Sequence, residues 1–129
     1  MSRSKLLFLS SLLLAVFILA GCANTAGPAD VVSAYWQALI DKDGAQISSL
    51  SCAAFEEEAL TTLESFNAVD TKLKDLACTV NSEIGDTASV TCTGSIIATY
   101  GAEDMVIDLS QRSYIVKKEG GDWRMCGAE

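Results

Sequence analysis

Residues 76–98 read LACTVNSEIGDTASVTCTGSIIA, two stretches of alternating apolar and polar residues on either side of Gly85-Asp86. A period of two is that of a strand with one buried face, and a Gly-Asp pair between two such stretches marks a hairpin. Leu76, Cys78 and Val80 form the apolar set of the first stretch, and Ala88, Val90, Cys92 and Ile96 that of the second. All are even-numbered. Directly opposed residues of an antiparallel pair share a face, so the two sets meet only if paired numbers add to an even sum. A three-residue loop, Ile84 to Asp86, sets that sum at 170 and places Val80 opposite Val90 and Cys78 opposite Cys92. The cross-strand spacing of about 4.5–5.5 Å suits a disulfide. A two-residue loop would break the match.

Downstream, a turn near Tyr100-Gly101 leads into a strand through Met105, Ile107 and Leu109 that continues to Lys118. Its apolar residues switch from odd to even numbers at Tyr114 and Val116, so a bulge between Ser110 and Ser113 is needed to keep one buried face. Such a bulge bends the sheet around whatever covers it. Glu119-Gly120-Gly121-Asp122 is a tight turn by composition, and Trp123 to Cys126 a short last strand, with Trp123 and Met125 facing inward beside Val116.

Upstream the period changes to that of a helix. Pro28 suits a first helical position, and Val31, Val32, Tyr35, Trp36, Leu39 and Ile40 form a wide apolar stripe that Gly44 ends. Ala45 to Leu50 is a short helix or turn. Ser51 can then cap a third helix whose first turns carry Glu56, Glu57 and Glu58 and whose buried stripe is Phe55, Ala59, Leu63 and Phe66. The expectation is an α+β domain, three N-terminal helices packed on a bent four-stranded antiparallel sheet, with neither internal repeat nor long linker.

Residues 1–22 carry a separate signal. Leu6 to Ala20 is a fifteen-residue, mostly apolar run, short of the roughly 20 residues that cross a bilayer. It follows Arg3 and Lys5 and ends in Leu19-Ala20-Gly21-Cys22. Charge, length and the Leu-Ala-Gly-Cys quartet together resemble a bacterial lipoprotein signal peptide; an ordinary signal peptide and an uncleaved anchor are the alternatives. The resemblance implies a diacylglyceryl group on the Cys22 thiol, removal of residues 1–21, a tether over 22–27 and a domain over 28–129. Ala23 after the cysteine implies the outer membrane in a two-membrane cell, and a single-membrane host would display the domain outside.

Cleavage leaves 7 basic and 17 acidic side chains, a net charge of −10. So acidic a surface argues against nucleic acid and against electrostatic docking on anionic lipid. Four cysteines remain, Cys52, Cys78, Cys92 and Cys126, an even number in an exported domain that allows three disulfide connectivities. The hairpin register selects Cys78 with Cys92, leaving Cys52 with Cys126, a long closure worth roughly 4 kcal/mol in the chain-entropy model. A metal site is not expected, because the cysteine spacings are long and the chain has no histidine. No cofactor is expected either.

The helix Val31-Val32-x-x-Tyr35-Trp36-x-Ala38-Leu39 with Asp41-Lys42-Asp43-Gly44 after it, then further helices and a bent meander closing on Gly121-Asp122-Trp123-Arg124, resembles the nuclear transport factor 2-like (NTF2-like) superfamily. The best match is to its small lipoproteins of unknown function, which pair an early helical cysteine with one just after the final tryptophan, as Cys52 and Cys126 would here. The resemblance implies a cone-shaped roll with a pocket between sheet and helices, used for ligand binding, dimerisation or, in some branches, catalysis.

A ketosteroid isomerase or polyketide cyclase type of proton transfer needs a carboxylate base in an apolar pocket and a hydroxyl donor. Asp108, with Tyr35 or Tyr114, is the one constellation of that kind. Strand alternation points Asp108 outward, however, and there is neither histidine nor a free thiol. Glu56 to Glu58 diverge around their helix and complement its dipole, while Asp41-x-Asp43-Gly44 lacks the remaining ligands of a calcium loop. Tyr35, Trp36 and Trp123 are aromatic candidates for a pocket or a dimer face. The chain therefore reads as a noncatalytic ligand-binding or protein-interaction module in the cell envelope. Its expected partners are the membrane, through Cys22, and a small apolar ligand, an envelope protein or a second copy of itself.

Overall fold

The strand that organises the molecule is β2 (Thr87–Tyr100), fourteen residues long. In the computed structural model, which describes residues 26–129, β1 (Asp70–Ile84) runs antiparallel along one edge of β2. The other edge is shared: β3 (Glu103–Asp108) pairs with its second half and β4 (Ser113–Glu119) with its first, and β5 (Asp122–Ala128) pairs with β4. Three helices, α1 (Pro28–Ile40), α2 (Gly44–Leu50) and α3 (Glu56–Asn67), precede the sheet. The result is the expected α+β arrangement of three helices on a curled antiparallel sheet. Val32, Leu39, Ile47, Val90, Ile96, Val116 and Met125 lie fully buried between the layers. The signal-peptide reading, Cys22 and most of the tether lie outside the described residues.

The hairpin keeps the expected register where it matters and departs from it at the tip. Cys78 faces Cys92 and Val80 faces Val90, yet Ile84 faces Thr87 across a two-residue turn. The mismatch is absorbed by a bulge between Val80 and Ser82, which leaves Asn81 unpaired in the ladder, with its side-chain oxygen accepting from Thr91 Oγ1 at 2.9 Å. The turn is thus one residue shorter than the sequence suggests, and one bulge longer. The helices also cover less of the sheet than alternation alone implies: Val80 is 41% and Met105 46% exposed.

A second bulge sets the curl. Asp75 (φ 53°) and Leu76 lie opposite Gly94 (φ 97°), where β1 and β2 slip by one residue. A Cβ on Gly94 would sit 2.5 Å from the Asp75 carbonyl oxygen and 2.6 Å from that of Lys74. Only glycine permits the two backbones to approach so closely and adopts this φ at little cost. On the other edge of β2, β3 gives way to β4 at the same level.

That handover corrects the single strand expected from Met105 to Lys118. Leu109–Gln111 form a 3-10 turn that splits it in two. Ile96 faces Ile107 whereas Val90 faces Tyr114, so the turn supplies the change of parity expected from a bulge and buries Leu109, Tyr114 and Val116 together.

The helix ends differ from the sequence reading in two places. Gly44 does not end α1, which is capped at Asp41; it opens α2, whose N-terminus is capped by the Asp43 carboxylate accepting from Gln46 N at 3.0 Å. Ser51 does not cap α3, where Phe55 occupies the cap position without a side-chain hydrogen bond. The Ser51 hydroxyl instead donates to Ile47 O at 2.7 Å, and the Cys52 amide donates to Met125 O at 2.7 Å, docking the α2–α3 connection on β5. This docking brings Cys52 to disulfide distance of Cys126, with Cα atoms 5.0 Å apart; the corresponding separation for Cys78 and Cys92 is 4.0 Å.

Candidate functional site

Between α1, α3, the sheet and the 3-10 turn lies a cavity of about 310 Å³, at the small end of the range of ligand pockets. Tyr35 and Trp36 enter it as consecutive residues of α1, Phe55 and Phe66 from the start and end of α3, and Tyr114 from β4. Ile96, Ile107, Leu109 and Met125 complete the apolar wall, and Glu58, Thr62, Asp108, Gln111 and Arg112 add polar groups to the lining. The rings interlock edge to face, Tyr35 on Trp36 at 5.3 Å and Trp36 on Tyr114 at 5.4 Å between centroids, the geometry favoured by aromatic quadrupoles. A rigid aromatic wall is therefore built by the same contacts that hold α1 on the sheet.

The polar groups are largely committed to structure. The Tyr114 hydroxyl donates to Leu109 O at 2.8 Å. Asp108 caps the 3-10 turn: its Oδ1 accepts from Ser110 Oγ at 2.7 Å and from Ser110 N at 2.9 Å, and its Oδ2 from Gln111 Nε2 at 3.1 Å. These bonds, first those from Ser110 and then that from Gln111, hold the exposed Asp108 carboxyl below the usual carboxylate range. A general base for an apolar pocket needs the opposite, burial that raises its pKa.

Tyr35 behaves differently. Burial, and secondarily the nearby Glu58 carboxylate, push its phenol up to about 12, so it stays a neutral O–H donor throughout the physiological range. Trp36 Nε1 is buried without a hydrogen-bond partner.

Of the residues singled out in the sequence, Tyr35, Trp36, Tyr114 and Asp108 come together in this lining. Trp123 does not. It pairs with Lys118 at the β4–β5 turn, whereas Tyr114 lies at the opposite end of β4, and the Lys118 ammonium sits 5.0 Å from its ring centroid. Trp123 is half-buried against the edge of the core and borders two depressions instead, one beside Ala26, Gly27 and Pro28 and one beside Val31, Leu50 and Arg124. The contributions of Gln111 and Arg112 carry no signal in the sequence, because only the 3-10 turn brings them to the cavity. Phe55 and Phe66 read in the sequence as the buried stripe of α3, with which a cavity wall shares its spacing.

No family model matches this sequence, and no curated protein sequence is significantly similar to it. Solved structures are similar in fold. A SEC-C motif-containing protein from Rhodopseudomonas palustris superposes with a TM-score of 0.57 at 14% identity, over 81% of this chain and 78% of that one. A candidate dehydratase of the NTF2-like family from Streptomyces avermitilis gives 0.53 at 16% identity, over 76% and 87%. A candidate ketosteroid isomerase from Shewanella frigidimarina gives 0.54 at 16% identity, over 79% and 93%. The fold, three helices closing one side of a curled antiparallel sheet, is that of the NTF2-like cone.

Proposed function

We propose that the chain is a membrane-anchored lipoprotein presenting a noncatalytic ligand-binding module in the cell envelope, held by lipid on Cys22. One observation carries the binding reading: an aromatic-walled cavity in which two of the three candidate reacting groups, the Asp108 carboxylate and the Tyr114 hydroxyl, are engaged in internal hydrogen bonds, leaving the neutral Tyr35 hydroxyl as a donor. The ligand class this wall fits is a small, largely apolar molecule, with the Tyr35 hydroxyl as donor. The anchor rests on the charge, length and Leu-Ala-Gly-Cys ending of residues 1–22.

The alternative is an enzyme resembling ketosteroid isomerase or polyketide cyclase with Asp108 as base. It is favoured by the convergence of Asp108 and two tyrosines on one cavity and by the names of two structural neighbours. The exposure and lowered pKa of Asp108 count against it.

Titration with N-phenyl-1-naphthylamine, a neutral aromatic fluorophore, separates these readings from a merely structural cavity. Saturable one-to-one binding is expected. Thr62→Trp, which fills the cavity from α3, weakens it about tenfold or more, equivalent to at least ~1.4 kcal/mol, and Asp108→Asn leaves it unchanged. No saturable binding at all would refute the binding module. An isomerase or dehydratase activity lost in Asp108→Asn would establish the enzyme.

A further inference from the structure

Trp123 and its surroundings are not used by the cavity. Three chain segments meet there: the start of α1 at Ala26–Pro28, the β1–β2 tip at Glu83, and the β4–β5 turn with Lys118, Gly121 and Trp123, all bordering one depression. The Lys118 amide donates to Asp86 O at 2.9 Å, tying the two hairpin tips together. Beside Glu83, Ile84 is 81% exposed, the most exposed of the large apolar side chains among the described residues. A single exposed isoleucine signifies nothing by its exposure. Its place does, because the tether enters at this end.

We infer that this end of the domain, with the Ile84 tip and the Trp123–Lys118 pair, is the face that rests on the lipid bilayer, Ile84 entering the headgroup boundary. The inference rests on the proposed acylation of Cys22. Ala26 is four residues from Cys22, and four fully extended residues span at most about 14 Å. The end that carries Ala26 is thus confined within that distance of the lipid carrying Cys22. Among the described residues, the exposed apolar group of Tyr100, Met105 and Val106 lies at the far end of β2, up to about 43 Å along a strand of this length, beyond the tether's reach. Glu83, Asp86, Glu119 and Asp122 outnumber Lys117 and Lys118 at the membrane-facing end, so charge does not select anionic lipid. Apolar insertion with an interfacial tryptophan and a snorkelling lysine does the docking.

The test uses the full chain, expressed with its native leader, purified from membranes and reconstituted in phosphatidylcholine vesicles with or without bromine on the acyl chains near the headgroup. Intact mass is measured first. In a Trp36→Phe background Trp123 is the single tryptophan, and bromolipid is expected to quench its emission, the quenching falling when Ile84→Asp is added. On the wild-type chain, hydrogen exchange is expected to slow at residues 83–87 and 119–123 in vesicles relative to a soluble Cys22→Ala chain lacking residues 1–21, with no change at 100–106; this readout stands if Trp36→Phe fails to fold. An acylated protein with an unquenched Trp123, unprotected hairpin tips or protection at 100–106 would overturn the orientation alone. A mass without lipid on Cys22 would overturn the anchor and the orientation with it.

Discussion

At residue scale the sharpest constraint is Gly94, where a Cβ would overlap two carbonyl oxygens of β1 and the backbone holds φ at 97°. Gly94→Ala combines strain at a positive φ with overpacking and should cost about 3 kcal/mol in urea unfolding. Gly85, at φ 59° with nothing within 4 Å of where a Cβ would stand, should accept asparagine with only a small loss. Tyr35 gives a pH signature. Its folded pKa of about 12 stands above the ordinary tyrosine value of 10.0, so its contribution is complete below pH 10 and is lost as pH rises toward 12. Between these values the unfolded chain releases the proton more readily. Urea midpoints from pH 9 to 11 should therefore fall more steeply for the wild type than for Tyr35→Phe; equal slopes would contradict the assignment. Trp36→Phe removes a buried donor without a partner and keeps a ring in place, so its stability should match or slightly exceed the wild type.

At the scale of elements, the two disulfide pairs predict different losses. The Cys52–Cys126 pair spans 74 residues and the Cys78–Cys92 pair 14, for which the chain-entropy model gives about 4 and about 3 kcal/mol. Replacing both cysteines of the first pair by serine should lower the urea midpoint more than the same change in the second. The 3-10 turn between β3 and β4 depends on Asp108, so Asp108→Ala should lower thermal stability modestly and Asp108→Asn less. Helices and strands were legible because their apolar periods, 3.6 and 2, are local properties. The bulges at Asn81 and opposite Gly94 were not, because a bulge is settled by what the partner strand does. Parity did expose the break after Leu109, since Met105, Ile107 and Leu109 are odd and Tyr114 and Val116 even, but not its form as a 3-10 turn. Ser51 misled because a serine before a run of glutamates carries the marks of a cap, while its hydroxyl is drawn back to Ile47 O.

At the scale of the whole molecule, the curled sheet and three helices enclose a cavity that the sequence indicated only in part. Tyr35, Trp36, Tyr114 and Asp108 were identifiable from residue type and spacing, and the fold brings them together. Trp123 departs from the expected lining for a topological reason: antiparallel pairing puts it at the turn end of β4, away from Tyr114. Which residues of α3 face the cavity was hidden because an apolar stripe looks the same whether it meets a neighbour or a void. The reading of the molecule as an anchored binding module joins two parts of the chain, Cys22 and the cavity, and both can be read in one spectrum. Native mass spectrometry of the protein extracted from its own membranes should show a chain that begins at acylated Cys22 and carries four hydrogens fewer than its reduced form. It should also show a noncovalent small-molecule adduct that disappears in Thr62→Trp. A chain of unprocessed mass with no adduct in either form would contradict the account.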